Sequence, residues 1–271
     1  MRDDEPAENI SGGDDGGARP AAVEGSEDPD TRAEAVVDAL GDLYWRKAYG
    51  GQDAFECLVR TILSQNTSDK ASQPAHDSLL ERYGGDDDLA VALADTERSA
   101  LAETISSAGL YNQKSETLVR LAQRVVDEYG GADGFDAFVR DESPDTVRSA
   151  LLDMKGVGPK TADCVLLFSG GQAGVFPVDT HVHRIYRRLG VAPPDADHEG
   201  VREVLEREVP AAKCGFAHTA SIQFGREYCT ARKPACLEGP EACPLYDLCD
   251  RVGVDEETSE VVDPAEATVD D

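Results

Sequence analysis

The segment SPDTVRSALLDMKGVGPKTADCVLLF, residues 143–168, decides how the chain is read. Ser143 is placed to cap a helix whose first residue is Pro144, where a missing N–H costs nothing. A second helix begins near Pro159 and continues in apolar residues. Between them KGVGP can only turn. Its glycines, Gly156 and Gly158, permit positive φ and leave no Cβ in the way. Two helices joined so make an αα-hairpin. The bared backbone at the second helix start is a seat suited to a phosphate. Lys160 then stands where the helix dipole least favours a cation. Dipole and burial together lower a lysine's pKa, and a neutral amine is a nucleophile.

Downstream lies FPVDTHVHRIYRRLG, with Asp179 nineteen residues after Lys160. An amine that forms Schiff bases on a sugar aldehyde carbon gains from a carboxylate that stabilises developing positive charge and moves protons.

Residues 31–250 read as helical almost throughout. DAFECLVRTILSQ opens on Asp53 with Glu56 three residues on, a capping-box-like start. In NQKSETLVRLAQRVVDEYGG the residues Leu118, Leu121, Ala122, Val125, Val126 and Tyr129 share one helical face, which Gly130 and Gly131 end. ADHEGVREVLEREV and CGFAHTASIQFGREYC are further helices. No alternating strand pattern stands out, so an all-α fold is expected.

The 271 residues, 40% of them hydrophobic, suffice for one or two cored domains. The net charge of −28 is extreme, and the ends contribute much of it: residues 1–30 carry −8 and residues 251–271 carry −7. Both stretches are acidic and poor in large apolar residues, which predicts disordered tails. Seven lysines against 19 arginines, with so many carboxylates, suit a salt-rich cytoplasm and suggest a halophile. Net charge alone argues against a nucleic-acid binder, so any such role has to come from local geometry. No apolar leader or membrane-length apolar run is present, which predicts a cytoplasmic, nucleoid-associated protein without a membrane partner.

Cys57, Cys164 and Cys214 sit in apolar helical contexts and read as core. Cys229, Cys236, Cys243 and Cys249 crowd into C-x6-C-x6-C-x5-C. Without a secretory leader, such crowding argues for metal over disulfides. Four thiolates suit zinc or an iron–sulfur cluster, but the closely spaced pairs usual in zinc sites are missing.

GVGPKTA, VDTH, ILSQNTSD and the cysteine group together resemble the endonuclease III family of helix-hairpin-helix DNA glycosylases, over about residues 31–250. The resemblance implies two helical domains flanking a DNA-binding cleft: 31–50 with 171–250 as a terminal-helix and cluster domain, and 51–170 as a six-helix domain. It implies Lys160 as Schiff-base nucleophile, Asp179 as essential carboxylate, and a [4Fe–4S] cluster on the four cysteines. The family spacing is C-x6-C-x2-C-x5-C, so the middle gap here is four residues longer. It further implies a monomer that flips damaged nucleotides out of double-stranded DNA, or acts at abasic sites. Oxidised pyrimidines would be removed and the strand cut by β-elimination.

Gly156 and Gly158 would then seat a phosphate, and Gln65 or Asn66 would fill the vacated base position, with Leu110 of GLYN as an apolar wedge. His181, Arg184, Arg232 and Lys233 would meet DNA, within basic islands that include Arg226, Arg187 and Arg188. Thr61 stands where adenine glycosylases carry a catalytic glutamate. An 8-oxoguanine or mismatch glycosylase is the alternative within the superfamily. A non-catalytic, cluster-bearing DNA-binding or redox-sensing protein is the alternative outside it.

Overall fold

The computed structural model describes residues 29–44, 51–85 and 88–267. Among these, twelve α-helices make the architecture, joined by loops, short 3-10 turns and one pair of two-residue strands. The all-α expectation holds. In chain order the helices are α1 (Arg32–Gly41), α2 (Ala54–Ser64), α3 (Asp69–Tyr83), α4 (Leu89–Ala94), α5 (Arg98–Thr104), α6 (Tyr111–Tyr129), α7 (Ala132–Asp141), α8 (Pro144–Leu152), α9 (Pro159–Phe168), α10 (Thr180–Arg188), α11 (His198–Glu208) and α12 (Cys214–Glu227). They divide into two units. The central one, Tyr49–Gln172, holds α2 to α9; the terminal one takes the described parts of Met1–Ala48 and Ala173–Asp271 and holds α1 and α10 to α12.

In the central unit Asp53 caps α2, accepting the Glu56 N–H at 2.7 Å. That start sets the register which buries Phe55, Leu58, Val59, Ile62 and Leu63 against α3, α7 and α9. Each such side chain contributes about 1.5–3 kcal/mol by leaving water. Leu118, Leu121, Ala122 and Val125 turn α6 inward, where it packs on α4 and α5. Gly130 ends α6 at φ 82°, a left-handed conformation that glycine takes without strain. Ser143 caps α8 through the Thr146 N–H at 3.3 Å. Arg148 ties α8 to α9 by a 2.7 Å bond to the buried Asp163.

The terminal unit is built on α12, whose Phe216, Ala217, Ala220 and Phe224 are buried where α1 and α10 pack. Tyr186 of α10 lies edge-on to Phe176 at 5.9 Å between ring centroids, with its hydroxyl 3.2 Å from Ser221 Oγ. Thr31 caps α1 and donates its hydroxyl to Glu208 O at 2.7 Å. Lys213 Nζ sits 2.7 Å from Glu34 and 2.6 Å from Asp38, pinning α1 to the start of α12.

Residues 251–271 are expected from composition to be disordered, and here the structure differs. Residues 251–267 are folded, with β1 (Val254–Asp255) antiparallel to β2 (Glu260–Val261). Asp263 then meets Arg187 at 2.5 Å. Arg187 is only 4% exposed, and a buried guanidinium needs a counter-charge. The acids of this segment are in part that counter-charge, which composition cannot reveal. Residues 1–28 and 268–271, the remainder of the expected tails, lie outside the described residues.

Candidate active site

The hairpin turn is held from inside by Met154 and Val157, both buried. Gly156 adopts φ +100°, and a Cβ there would lie 2.7 Å from Thr117 Cγ2 of α6. Gly158 behaves differently. It has extended backbone at φ −103°, and an added Cβ would meet nothing within 4 Å. Only Gly156 needs positive φ; open space lies in front of Gly158. Pro159 follows as the first residue of α9, and no side chain caps the helix. A helix N-terminus begun in this way is the arrangement that seats an anion. Lys160 is half-buried on this turn. Behind it, burial pushes the Cys57 thiol up to about 12, with the Lys160 charge among the smaller opposing effects. Arg120 of α6 steadies the turn by donating to Lys155 O at 3.0 Å.

Two loops of the same unit carry the residues expected to enter DNA. Gln65, at the end of α2, donates its Nε2 to Gly156 O at 3.2 Å and to Thr161 Oγ1 at 3.1 Å. Asn66 is exposed and left-handed at φ 51°. Leu110 is 53% exposed and left-handed at φ 46°, just before α6. An exposed apolar side chain on strained backbone is not a core residue. Between these loops lies Lys114, which sequence reasoning passed over. It is 5% exposed, and its Nζ donates to Leu63 O at 2.6 Å, Thr67 Oγ1 at 2.6 Å and Ala108 O at 2.8 Å. Thr67 Oγ1 also donates to Ala108 O. Thr61 is buried and returns its hydroxyl to Cys57 O at 2.8 Å, so no acid group stands at that position.

In the terminal unit Asp179 is the N-cap of α10. Its Oδ1 accepts the N–H groups of His181 and Val182, both at 2.9 Å, so capping does not occupy Oδ2. His181 packs on α12 at Gly225, where a Cβ would come within 2.6 Å of Nδ1. Burial holds its imidazole below the usual pKa against the pull of Asp179, which favours the neutral ring.

Arg184, expected to meet DNA, also braces the protein itself. It donates to Cys229 O at 3.2 and 2.9 Å and to Gly225 O at 3.2 Å, and meets His181 Nδ1 at 3.1 Å. The carbonyls ending α12 attract a cation. Arg187 and Arg188 are likewise buried, at 4% exposure each. Arg188 donates to Thr230 O and Ala231 O, both at 2.7 Å. Arg226, Arg232 and Lys233 are exposed, and the turn bearing the last two is closed by Thr230 Oγ1 on Lys233 O at 2.6 Å.

Cys229, Cys236, Cys243 and Cys249 all line one small cavity. None is in a disulfide. The long middle gap folds as two consecutive 3-10 turns, Ala235–Glu238 and Pro240–Ala242, hinged at Gly239 with φ 112°. Across this longer gap Cys236 and Cys243 still line the same cavity. Burial, and then the neighbouring sulfurs, raise Cys243 and Cys249, the latter to about 12. Four thiolates here require bound cationic charge. Among the described residues no three or more ligand-type side chains gather closely enough for a single metal ion. A [4Fe–4S] cluster, which takes one thiolate at each of four corners, suits four cysteines lining one cavity. Arg251 donates its N–H to Cys249 Sγ at 3.3 Å, and Arg188 reaches Cys229 Sγ at 3.7 Å. Such N–H···S bonds are how a protein surrounds cluster sulfur.

Comparison with known proteins bears on both parts. The HhH-GPD superfamily base excision DNA repair profile matches residues 59–211, and the iron-sulfur binding domain of endonuclease III matches residues 229–249. Endonuclease III of Thermotoga maritima is 33% identical over 198 residues, 73% of this chain and 83% of that protein. The Bacillus subtilis enzyme of the same name is 32% identical over 219 residues, 80% and 90% of the two chains. A trapped endonuclease III–DNA covalent intermediate superposes with TM-score 0.67 at 27% identity, over 82% of this chain and 96% of that one. No helix among the described residues is long and apolar enough to cross a membrane. With its hairpin, its helix-capping aspartate and its four cysteines around one cavity, the chain belongs to the endonuclease III family of base-excision DNA glycosylases.

Proposed function

We propose that this enzyme is bifunctional, releasing oxidised pyrimidines from double-stranded DNA and then cutting the strand at the abasic site. Lys160 Nζ attacks C1′ as the free amine while the bond to the base breaks and the base leaves with its electron pair. The sugar ring opens to a protonated imine on Lys160. This cation acidifies the C2′ hydrogen, and loss of that proton expels the 3′ phosphate by β-elimination. Asp179 supplies the negative charge that favours the cationic sugar and carries protons. The four cysteines hold the cluster, which serves to shape the loop bearing Arg232 and Lys233.

The observation that carries this reading is the uncapped start of α9. Lys160 stands on its first turn, and open space faces Gly158. A covalent protein–DNA complex has been trapped for an endonuclease III that superposes on this chain, which supports covalent chemistry here. Thr61 in place of an acid speaks against adenine removal.

A panel of single-lesion duplexes, scored separately for base release and for strand cleavage, tests the proposal. Thymine glycol is expected to be released and the strand cut, with both activities lost in Lys160→Ala. Processing of 8-oxoguanine with thymine glycol inert would overturn the substrate class. Base release without any cutting would overturn the lyase step.

A further inference from the structure

The bonds of Lys114 are unusual for a buried lysine. Among the described residues no carboxylate pairs with its ammonium. Its three donors instead have three oxygen acceptors, Leu63 O, Thr67 Oγ1 and Ala108 O, at 2.6 to 2.8 Å. An ammonium has three N–H groups, so the set is complete. Burying a charge without a counter-ion is costly, and apolar packing would hold two loops together at lower cost. What a point charge with three directed bonds adds is geometry.

The acceptors show which geometry is being fixed. Leu63 O and Thr67 Oγ1 bracket the turn Ser64–Asn66, in which Asn66 is left-handed at φ 51°. Ala108 O lies just before Gly109 and Leu110, both at positive φ. Lys114 also holds Leu110 from the other side, because its backbone N–H donates to Leu110 O at 3.0 Å. One residue thus clamps both turns of the central unit that, among the described residues, carry non-glycine residues in the left-handed region. Strain of this kind persists only where its surroundings over-determine it.

We infer that Lys114 is a positioning residue for base extrusion: its ammonium sets the spacing of Asn66 and Leu110, the pair that enters the DNA stack when the damaged nucleotide leaves. This rests on the proposed function, in which extrusion precedes attack by Lys160. Lys114 itself does not touch the reacting atoms.

The test compares borohydride trapping on one abasic oligonucleotide, as a duplex and as the bare single strand. Extrusion and gap filling matter only for the duplex. In Lys114→Met, which keeps length and removes all three donors, duplex trapping should fall by about 10–100-fold, the order expected for a misplacement near 1 Å. Single-strand trapping should follow the wild type. Thr67→Val removes one acceptor, keeps the ammonium and should shift the same ratio less; it keeps the inference testable if Lys114→Met does not fold. An unchanged duplex-to-single-strand ratio in the folded variants would overturn the inference, whatever happens to melting temperature. A wild type that traps neither substrate would overturn the proposed function and this inference with it.

Discussion

Gln65 Nε2 lies 3.1 Å from Thr161 Oγ1, so the end of α2 is bonded to the first turn of α9 immediately beside Lys160. The same nitrogen reaches Gly156 O at 3.2 Å. Gln65 is therefore a strut of the hairpin, and Asn66, exposed beside it, is the group we propose to enter DNA. Gln65→Ala should lower stability by about 0.5–1.5 kcal/mol, as expected for lost hydrogen bonds. Asn66→Ala should leave stability nearly unchanged and weaken extrusion, read as fluorescence of 2-aminopurine opposite an abasic site. Urea unfolding of both variants checks the first half. Equal stability losses would contradict the distinction.

The two hairpin glycines should separate stability from binding. Gly156→Ala forces a Cβ at φ +100° to within 2.7 Å of Thr117 and should cost about 1–3 kcal/mol. Gly158→Ala meets no atom within 4 Å in the protein, so thermal unfolding should barely move. Its Cβ would occupy the approach to the N–H groups of α9, and affinity for abasic duplex should drop. Normal binding by Gly158→Ala would remove the phosphate seat from the account.

Asp179 both caps α10 and is proposed to act in the chemistry, and two substitutions divide these roles. Asparagine caps about as well as aspartate, whereas alanine costs about 1 kcal/mol. Asp179→Asn should therefore keep the melting temperature and lose base release, and Asp179→Ala should lose both. Full activity in the asparagine variant would leave only the cap.

Much of this was legible in the sequence because it rests on local rules. Asp53, Ser143 and Asp179 precede helix starts, and all three accept first-turn N–H groups. The helical face that begins at Leu118 is buried. Lys114 escaped notice although it extends that face one turn earlier, four residues before Leu118. A lysine on an apolar face was the available signal. Arg184, Arg187 and Arg188 read as a basic island, yet their partners are carbonyls and an acid distant in sequence. Fold alone brings such groups together, so composition could not show that they are consumed. The same holds for residues 251–267, whose acids looked like solvated tail until Asp263 met Arg187.

The Lys114 clamp should loosen with alkali while the fold does not. Burial holds its pKa down at about 8 against an ordinary 10.5. Between those values an unfolded chain keeps a proton that the folded chain has released, so this residue's contribution to stability rises with pH across the window. Below it the ammonium is charged in both states and adds no slope. The neutral amine has only two N–H groups for three acceptors. Hydrogen exchange at Asn66, Thr67 and Leu110, corrected for intrinsic rate, should accelerate from about pH 7 to about pH 9.5, with no fall in stability attributable to Lys114. Protection that stays constant across this window would contradict the clamp's dependence on charge.

In the proposed reaction Lys160 becomes covalently attached to the sugar. Borohydride reduction of the enzyme on abasic duplex, followed by proteolysis and mass spectrometry, locates the attachment directly. The expected result is a deoxyribose remnant on the peptide containing Lys160 and no adduct in Lys160→Ala. A remnant on any other amine, or an adduct that survives the substitution, would contradict it.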